Sequence, residues 1–136
     1  MLNTDTILKL DDFGYAEHNG DEVFPGVHNF RRVPGTRVYG VSTLTVDGAK
    51  ALARQLHSMH AGTLHYVNLR EEPIVYVKDR PFVLRSVQKP FGNLEGFTDM
   101  DADRLELAEE RLKADVIAEA KRCGVWAFLR SLTTIN

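Results

Sequence analysis

The sequence has one cysteine, no long apolar run and no excess of positive charge. Cys123 has no second cysteine among the 136 residues to pair with, which fits a reducing compartment. A net charge of −2 gives no basic field for nucleic acid or anionic membrane. No stretch approaches the roughly 18 apolar residues of a membrane helix, and the N-terminus lacks a secretory pattern. We predict a cytoplasmic protein with no membrane span and no nucleic-acid partner.

The glycines are also too scattered to form a nucleotide-binding loop. Gly26, Gly35 and Gly40 match neither the Walker nor the dinucleotide pattern, so we expect no nucleotide cofactor, and we predict no cofactor of another kind. The chain is 43% hydrophobic and 26% charged, which is typical of one globular domain. We predict an irregular N-terminal arm over residues 1–27, a domain over residues 28–130 and a tail over residues 131–136.

A strand, a helix and a second strand are predicted in the first half of that domain. Residues 37–41 have the β-branched and aromatic content of a short strand. Thr45 is a candidate N-cap for a helix whose apolar residues recur at helical spacing as far as residues 61–62. Residues 64–69 again resemble a strand, so the pattern predicts a parallel, right-handed βαβ unit.

A hairpin and a long helix are predicted in the second half. Residues 74–77 and 82–84 are strand-like, and the loop 78–81 between them predicts a hairpin at the edge of the sheet. Thr98 or Asp99 is a candidate cap for a helix that ends at Gly124. Residues 125–129 predict one more buried strand. The elements together predict an α/β fold with a short, mostly parallel sheet, two main helices and an edge hairpin.

Cys123 and the histidines are weak candidates for chemistry. A cysteine phosphatase normally has five residues between its cysteine and its phosphate-binding arginine, but six apolar-rich residues separate Cys123 from Arg130. We interpret Cys123 as a small buried residue at a helix end. His57 and His60 are three positions apart but lack an obvious third metal ligand, so we predict exposed helix residues and no metal site.

The block from Val67 to Pro73 runs from an apolar strand pattern into dense charge. The carboxyl edge of a sheet is where open α/β folds bind ligands, so Arg70 is a candidate forked donor to phosphate or carboxylate. Glu71 or Glu72 would hold that guanidinium in place. The alternative is an ordinary solvated loop.

A second candidate segment runs from Asn29 to Gly35. One interpretation is an anchored turn, in which Asn29 caps backbone groups while Arg31 and Arg32 lie in solvent or pair with acids. The other is that the two arginines add positive potential to a binding site. A pairing of Arg31 with Glu71 or Glu72 is equally compatible with the sequence.

Four segments together resemble a known family in order and spacing. They are Asn-Phe-Arg-Arg-Val at 29–33, Val-Tyr-Gly-Val at 38–41, Val-Asn-Leu-Arg-Glu-Glu-Pro at 67–73 and Arg-Pro-Phe-Val-Leu-Arg at 80–85. They resemble the repeats of paladin-like proteins, which are related to the tyrosine-phosphatase-like inositol phosphatases, or phytases. The resemblance covers roughly residues 27–124.

The resemblance implies an incomplete cysteine-phosphatase fold, of the dual-specificity or phytase-like type. Such phosphatases carry a His-Cys-x5-Arg loop, and this sequence has none. We therefore expect a truncated repeat, or a fragment of a larger or disrupted gene, without turnover of its own. The alternatives are a non-catalytic module that binds phosphate, inositol phosphate or phosphoprotein, and a fragment of an active phosphatase.

The resemblance also implies which residues face a ligand and what the partners are. A phosphorylated small molecule or a phosphoprotein is the implied ligand. An open sheet edge would in addition allow self-association. The candidate ligand-contact residues are Asn29, Arg31, Arg32, Asn68, Arg70, Glu71 and Glu72.

Overall fold

The computed structural model describes residues 1–11, 25–97, 99–124 and 132–133. It divides into two compact units, one of Met1–Leu10 with Asn68–Asn136 and one of Asp11–Val67. A short 3₁₀ helix covers Glu95–Phe97. The other elements, in chain order, are β1 (Thr6–Leu10), β2 (Arg31–Arg32), β3 (Tyr39–Gly40), α1 (Val46–Met59), β4 (Ile74–Val77), β5 (Arg80–Ser86), α2 (Ala102–Arg122) and β6 (Leu132–Thr133).

The first unit is built on an antiparallel sheet with the strand order β1-β5-β4-β6. Thr6 pairs with Ser86 at one end of β1, and Leu10 pairs with Phe82 at the other. The prediction of a mostly parallel sheet is wrong, because each paired strand among the described residues runs antiparallel to its neighbour. Two helices and a small sheet are nevertheless the elements of a partial α/β phosphatase-like fold.

The predicted hairpin is confirmed, but its loop and its position differ from the prediction. Only Lys78 and Asp79 join β4 to β5, and both have positive φ angles, 49° and 73°. These angles are typical of a type I′ turn, whose twist matches that of the flanking strands. The edge position is wrong, because β1 pairs with β5 and β6 pairs with β4, which places the hairpin at the centre of the sheet.

Helix α2 supplies an apolar stripe to the core of this unit. Its buried residues recur at every fourth position, and Leu112 is fully buried in a cluster with Val75, Leu84 and Val116. Its N-cap is Asp101, whose carboxylate accepts a hydrogen bond from the Arg104 amide at 2.9 Å.

The predicted cap Asp99 is wrong, because its φ of 60° is left-handed whereas an N-cap is extended. The other predicted cap, Thr98, lies outside the described residues. Gly124, with a φ of 70°, follows the helix end, as predicted. The strand predicted for residues 125–129 also lies outside the described residues.

The second unit holds α1 and the two-stranded ladder of β2 and β3. Thr45 caps α1 as predicted, and its hydroxyl accepts a hydrogen bond from the Gly48 amide at 2.9 Å. Val27, Leu44, Leu52 and Leu56 form the core of this unit.

The βαβ prediction for this region is wrong. Residues 64–69 form no strand, and their large apolar side chains are exposed. Instead β3 pairs with β2, to which it is joined by a short turn with a hydrogen bond from the Val33 amide to the Val38 carbonyl at 2.9 Å.

The predicted N-terminal arm is not irregular throughout. Residues 6–10 form β1 at the edge of the sheet beside β5, and Leu8 and Leu10, which are two positions apart and so on one face, are partly buried. Residues 12–24 of the arm lie outside the described residues. The domain boundaries given in the sequence analysis remain a prediction.

Candidate functional site

The charged block after Val67 forms a turn that leads into β4. The side-chain oxygen of Asn68 accepts a hydrogen bond from the Arg70 amide at 3.1 Å, which is an Asx turn. Glu71 is exposed, whereas Glu72 is buried directly before Pro73 and the start of β4. The turn therefore sends consecutive acidic residues in different directions, one to solvent and one to the interior.

Glu72 is held by two arginines. Its Oε1 accepts hydrogen bonds from Nη2 of Arg70 at 3.0 Å and from Nη2 of Arg85 at 2.9 Å. Its Oε2 accepts a further bond from Nη1 of Arg85, so that this second contact is a bidentate fork. A buried carboxylate needs such partners, because an unpaired charge removed from water is strongly unfavourable.

Glu109 on α2 extends this network. Its Oε1 accepts a hydrogen bond from the Ile74 amide at 3.2 Å, which links the helix to the first residue of β4. Burial raises the pKa of Glu109, while the Ile74 hydrogen bond and the charge of Arg70 act in the lowering direction. Nearby Glu106 adds to the rise.

The Arg70, Glu72, Arg85 and Glu109 side chains carry two positive and two negative formal charges. Such a balanced set suits the positioning of a guanidinium better than proton transfer at Glu72, whose oxygens both accept from arginines. Arg85 is nine-tenths buried, but 19% of the Arg70 side chain is exposed. Of Arg70, Glu72 and Arg85, Arg70 is therefore the residue that is most accessible to a ligand in solvent.

The structure brings together some of the predicted site residues. Asn68, Arg70 and Glu72 belong to one hydrogen-bonded turn, with Glu71 exposed beside them. Arg85 was missed as a site residue. The signal in the sequence was its position at the end of an apolar strand that returns from β4.

The other predicted site residues, Asn29, Arg31 and Arg32, lie in the Asp11–Val67 unit. Nη1 of Arg31 donates to the carbonyl oxygen of Asn29 at 3.0 Å, and Nε of Arg32 donates to the carbonyl oxygen of Thr36 at 2.7 Å. Asn29 has a φ of 58°, a conformation that asparagine tolerates in turns. Both arginines are exposed, as the anchored-turn interpretation expects, but the contacts are to backbone carbonyls and not to acids. The pairing of Arg31 with Glu71 or Glu72 would join different units and remains a prediction.

Cys123 is the C-cap of α2, as its predicted place at a helix end requires, but it is exposed. The predicted burial is wrong, because the thiol lies on the exposed side of the helix, where its Sγ is 3.5 Å from Oε1 of Glu119. Glu119 in turn pairs with Arg122, and that contact lowers the pKa of the Glu119 carboxyl.

The two histidines of α1 differ from each other. His57 is exposed, as predicted, whereas His60 is half-buried at the C-cap, and its Nε2 lies 2.6 Å from the Tyr39 hydroxyl. Among the described residues, no three histidine, cysteine or acidic side chains are grouped so as to hold a metal ion. None of the helices in the described ranges is both long enough and apolar enough to cross a membrane.

The small sheet, its covering helix and the turn that positions Arg70 are those of a partial α/β phosphatase-like domain. Comparison with protein families identifies which one. The family model PTPlike_phytase, whose description reads "Inositol hexakisphosphate", matches residues 67–133. This segment belongs to that phytase-like, tyrosine-phosphatase-like family of cysteine phosphatases. No curated protein and no solved structure matches the chain.

The matched segment contains the whole Arg70–Glu72–Arg85–Glu109 network together with β4, β5 and α2. Asn29, Arg31 and Arg32 precede it. The family match therefore covers the candidate residues Asn68, Arg70, Glu71 and Glu72, but it does not extend to Asn29, Arg31 and Arg32.

Proposed function

We propose that this chain is a paladin-like member of the phytase-like family that lacks phosphatase turnover of its own. The sequence contains no His-Cys-x5-Arg segment. Its one cysteine is the exposed C-cap of α2 and belongs to no such segment, which supports a non-catalytic role for the thiol. The order of the sequence motifs at 29–33, 38–41, 67–73 and 80–85 supports the paladin-like assignment.

A turnover assay tests this proposal. The purified 136-residue chain is incubated with a simple aryl phosphate and, separately, with inositol hexakisphosphate. We expect phosphate release no faster than in buffer, and the same result for Cys123→Ser. Hydrolysis that Cys123→Ser abolishes would identify an active enzyme and refute the proposal.

The second part of the proposal is that Arg70 binds a phosphate group of an inositol phosphate. The observation that carries it is the contact between Arg70 and Glu72 at 3.0 Å, with Glu72 itself fixed by Arg85. A guanidinium that is already positioned loses little conformational entropy when it binds an anion. Its planar donors match the oxygens of a phosphate.

Substitution of Arg70 is informative because the Glu72–Arg85 pair remains when Arg70 is removed. A charge-assisted hydrogen bond contributes about 1.5–3 kcal/mol, so we expect Arg70→Ala to weaken inositol hexakisphosphate binding by roughly tenfold or more. Isothermal titration calorimetry measures this directly. Arg104→Ala is the matched control, because Arg104 is an exposed arginine in the first turn of α2.

Unchanged affinity in Arg70→Ala, or an equal loss in Arg104→Ala, would contradict the binding role. The same titration with a phosphopeptide separates the two ligand classes. Tighter binding of the phosphopeptide than of inositol hexakisphosphate would favour the phosphoprotein alternative.

A further inference from the structure

A cleft occurs in the Asp11–Val67 unit, before the segment that the family model matches. It lies between β3 and the C-terminal end of α1 and has a volume of about 90 Å³. A water molecule needs only about 10–15 Å³ on such a measure, so the cleft has room for a small polyatomic ion. The side chains that bear on its chemistry are those of Arg37, Tyr39, His57 and His60.

Tyr39 is held in place from three directions. Its ring stacks on Phe30 with a centroid distance of 5.4 Å and an interplanar angle of 5°. The guanidinium carbon of Arg32 lies 5.8 Å from the centre of the same ring, and the hydroxyl lies 2.6 Å from Nε2 of His60. The hydroxyl therefore has a fixed position at the wall of the cleft.

The charged side chains around the cleft have one sign. Arg37 is exposed and makes no hydrogen bond or ion pair with the described residues, and no carboxylate is among the described side chains that line the cleft. His57 and His60 gain positive charge when they are protonated, and this charge has to outweigh the partial negative charge at the C-terminal end of α1 for an anion to bind. Arg32 adds a further positive charge on the side of Tyr39.

Protonation of His60 also changes what Tyr39 offers to a ligand. When the imidazole is neutral and its Nε2 carries no hydrogen, Nε2 accepts a hydrogen bond from the tyrosine hydroxyl. The hydroxyl oxygen then offers only lone pairs to the cleft. A protonated imidazole donates from Nε2 to that oxygen instead, and the tyrosine O–H is then free to donate elsewhere. The acidic state thus adds a neutral donor as well as positive charge.

We propose that this cleft binds one tetrahedral oxyanion, a phosphate group, when His57 and His60 are protonated. Arg37 supplies the forked donor, the two imidazoles supply charge, and Tyr39 supplies a positioned hydroxyl. The residues that line the cleft do not include Arg70, so oxyanion binding here does not depend on the role proposed for Arg70.

Sulfate is the probe that isolates the titration of the protein, because its charge stays the same across this range while that of phosphate changes. The full chain is titrated with sodium sulfate at about pH 5.5 and about pH 8, with ionic strength matched by chloride, and followed by amide and imidazole NMR shifts. We expect binding about tenfold tighter at the lower pH, with shifts at Tyr39, His57 and His60. Equal binding at both pH values, or shifts confined to other residues, would overturn the proposal.

Three variants test the individual roles at the lower pH. Tyr39→Phe keeps the stacked ring and should weaken sulfate binding roughly fivefold, as expected for one neutral hydrogen bond. Arg37→Ala should weaken it by about tenfold. Arg54→Ala is the matched control, since Arg54 is an exposed arginine of α1 that does not line the cleft. An equal loss in Arg37→Ala and Arg54→Ala would show general screening and would refute the site.

Two further probes identify the source of the phosphate group. Inorganic phosphate and phenyl phosphate are compared at the lower pH by the same shifts. Tighter binding of phenyl phosphate assigns the cleft to a monoester, and equal binding assigns it to the free ion. Failure of both while sulfate binds would contradict a phosphate site. Arg70→Ala should leave all of these titrations unchanged, so the two proposals fail separately.

Discussion

Arg85 and Glu72 are cross-strand partners beyond the end of the β4–β5 ladder. Ile74 pairs with Val83, and continuing that register by two residues places Glu72 opposite Arg85. The side chains meet there, with Nη2 of Arg85 at 2.9 Å from Oε1 of Glu72. The two-residue turn at the other end of the hairpin sets the register of β4 and β5, and this register places Arg85 opposite the buried carboxylate of Glu72.

The first prediction concerns the loss of that carboxylate. Glu72→Ala leaves Arg85 buried without its anionic partner, and breaking a buried pair in this way costs about 3–5 kcal/mol. We expect this loss in the free energy of unfolding, measured by urea denaturation. Glu71→Ala is the control, because Glu71 is the exposed neighbour and should change stability by less than about 0.5 kcal/mol. Equal effects of the two variants would show that the pair has no structural role.

The Glu72–Arg85 pair also shows where prediction from the sequence failed. Both strands of the hairpin were predicted, but the loop was assigned to residues 78–81, which shifts the register so that Glu72 would face Val87. The local pattern favoured that assignment, because proline is common at the start of a strand. Lys78 and Asp79 do not carry the usual asparagine–glycine signature of a type I′ turn, although they adopt its left-handed angles.

The second prediction concerns the core beneath α2. Leu112→Ala removes a fully buried side chain between Val75 and Leu84 and should cost about 2–5 kcal/mol of unfolding free energy. Leu107→Ala on the same helix is the matched control, because Leu107 is 53% exposed. Its effect should stay below about 1 kcal/mol. A similar cost for both leucines, read from urea midpoints, would argue against this core.

The third prediction concerns Gly48 in the first turn of α1. Replacement of glycine by alanine within a helix normally stabilises it by about 0.8–1.0 kcal/mol. Here an added Cβ would lie 2.3 Å from the backbone carbonyl oxygen of Gly26, which is not the end of a flexible side chain. We expect Gly48→Ala to destabilise α1 by about 1–3 kcal/mol instead, measured by hydrogen exchange of the α1 amides.

Ala53→Gly provides the comparison for Gly48→Ala. Ala53 is an exposed residue of α1 and should show only the ordinary propensity loss of about 1 kcal/mol. Faster exchange is thus expected in both variants although the substitutions are opposite. Slower exchange in Gly48→Ala would show that the backbone near Gly26 moves away without cost.

The fourth prediction concerns the pH dependence of stability at Glu109. Burial raises the pKa of its carboxyl above the ordinary value of 4.5, so the folded state holds this proton more tightly than the unfolded state does. The contribution of Glu109 to stability is then fully present below about pH 4.5 and declines as the pH rises through the folded-state pKa. Glu109→Gln removes the titration but keeps an oxygen for the Ile74 amide.

The measurement compares urea unfolding of the protein and of Glu109→Gln at about pH 4 and about pH 7. We expect the variant to gain stability relative to the parent as the pH rises. Glu110→Gln is the control, because Glu110 is exposed on the same helix. The difference in unfolding free energy between this variant and the parent should stay nearly constant between the two pH values. If the parent protein instead gained stability relative to Glu109→Gln as the pH rises, the attraction of Glu109 to Arg70 would have a larger effect on its pKa than burial has.

Local signals predicted the helices better than the sheet. Thr45 and Gly124 were assigned correctly because capping depends on a few adjacent residues. The strand expected at residues 64–69 has suitable composition but no partner among the described residues, and pairing is a property of the whole sheet. Composition also gave no indication that β1, far away in sequence, would flank β5.

The candidate site was predicted in part from the sequence. The guanidinium of Arg70 and an acidic residue that fixes it were both expected, and the structure pairs Arg70 with Glu72. Glu109 was not anticipated, because its amide contact to Ile74 depends on how α2 packs against β4. Residues brought together by helix packing leave no periodic signal in the sequence.

The pairing of β1 with β5 has a consequence during synthesis. The two strands are about 70 to 80 residues apart in the chain, and Asp11–Val67 between them forms the other unit. At about 5–20 residues per second, the ribosome would need roughly 4–16 s after making β1 before its partner is made. The apolar residues Ile7, Leu8 and Leu10 have no strand partner for that time, so β1 stays open to chaperone binding until β5 is made.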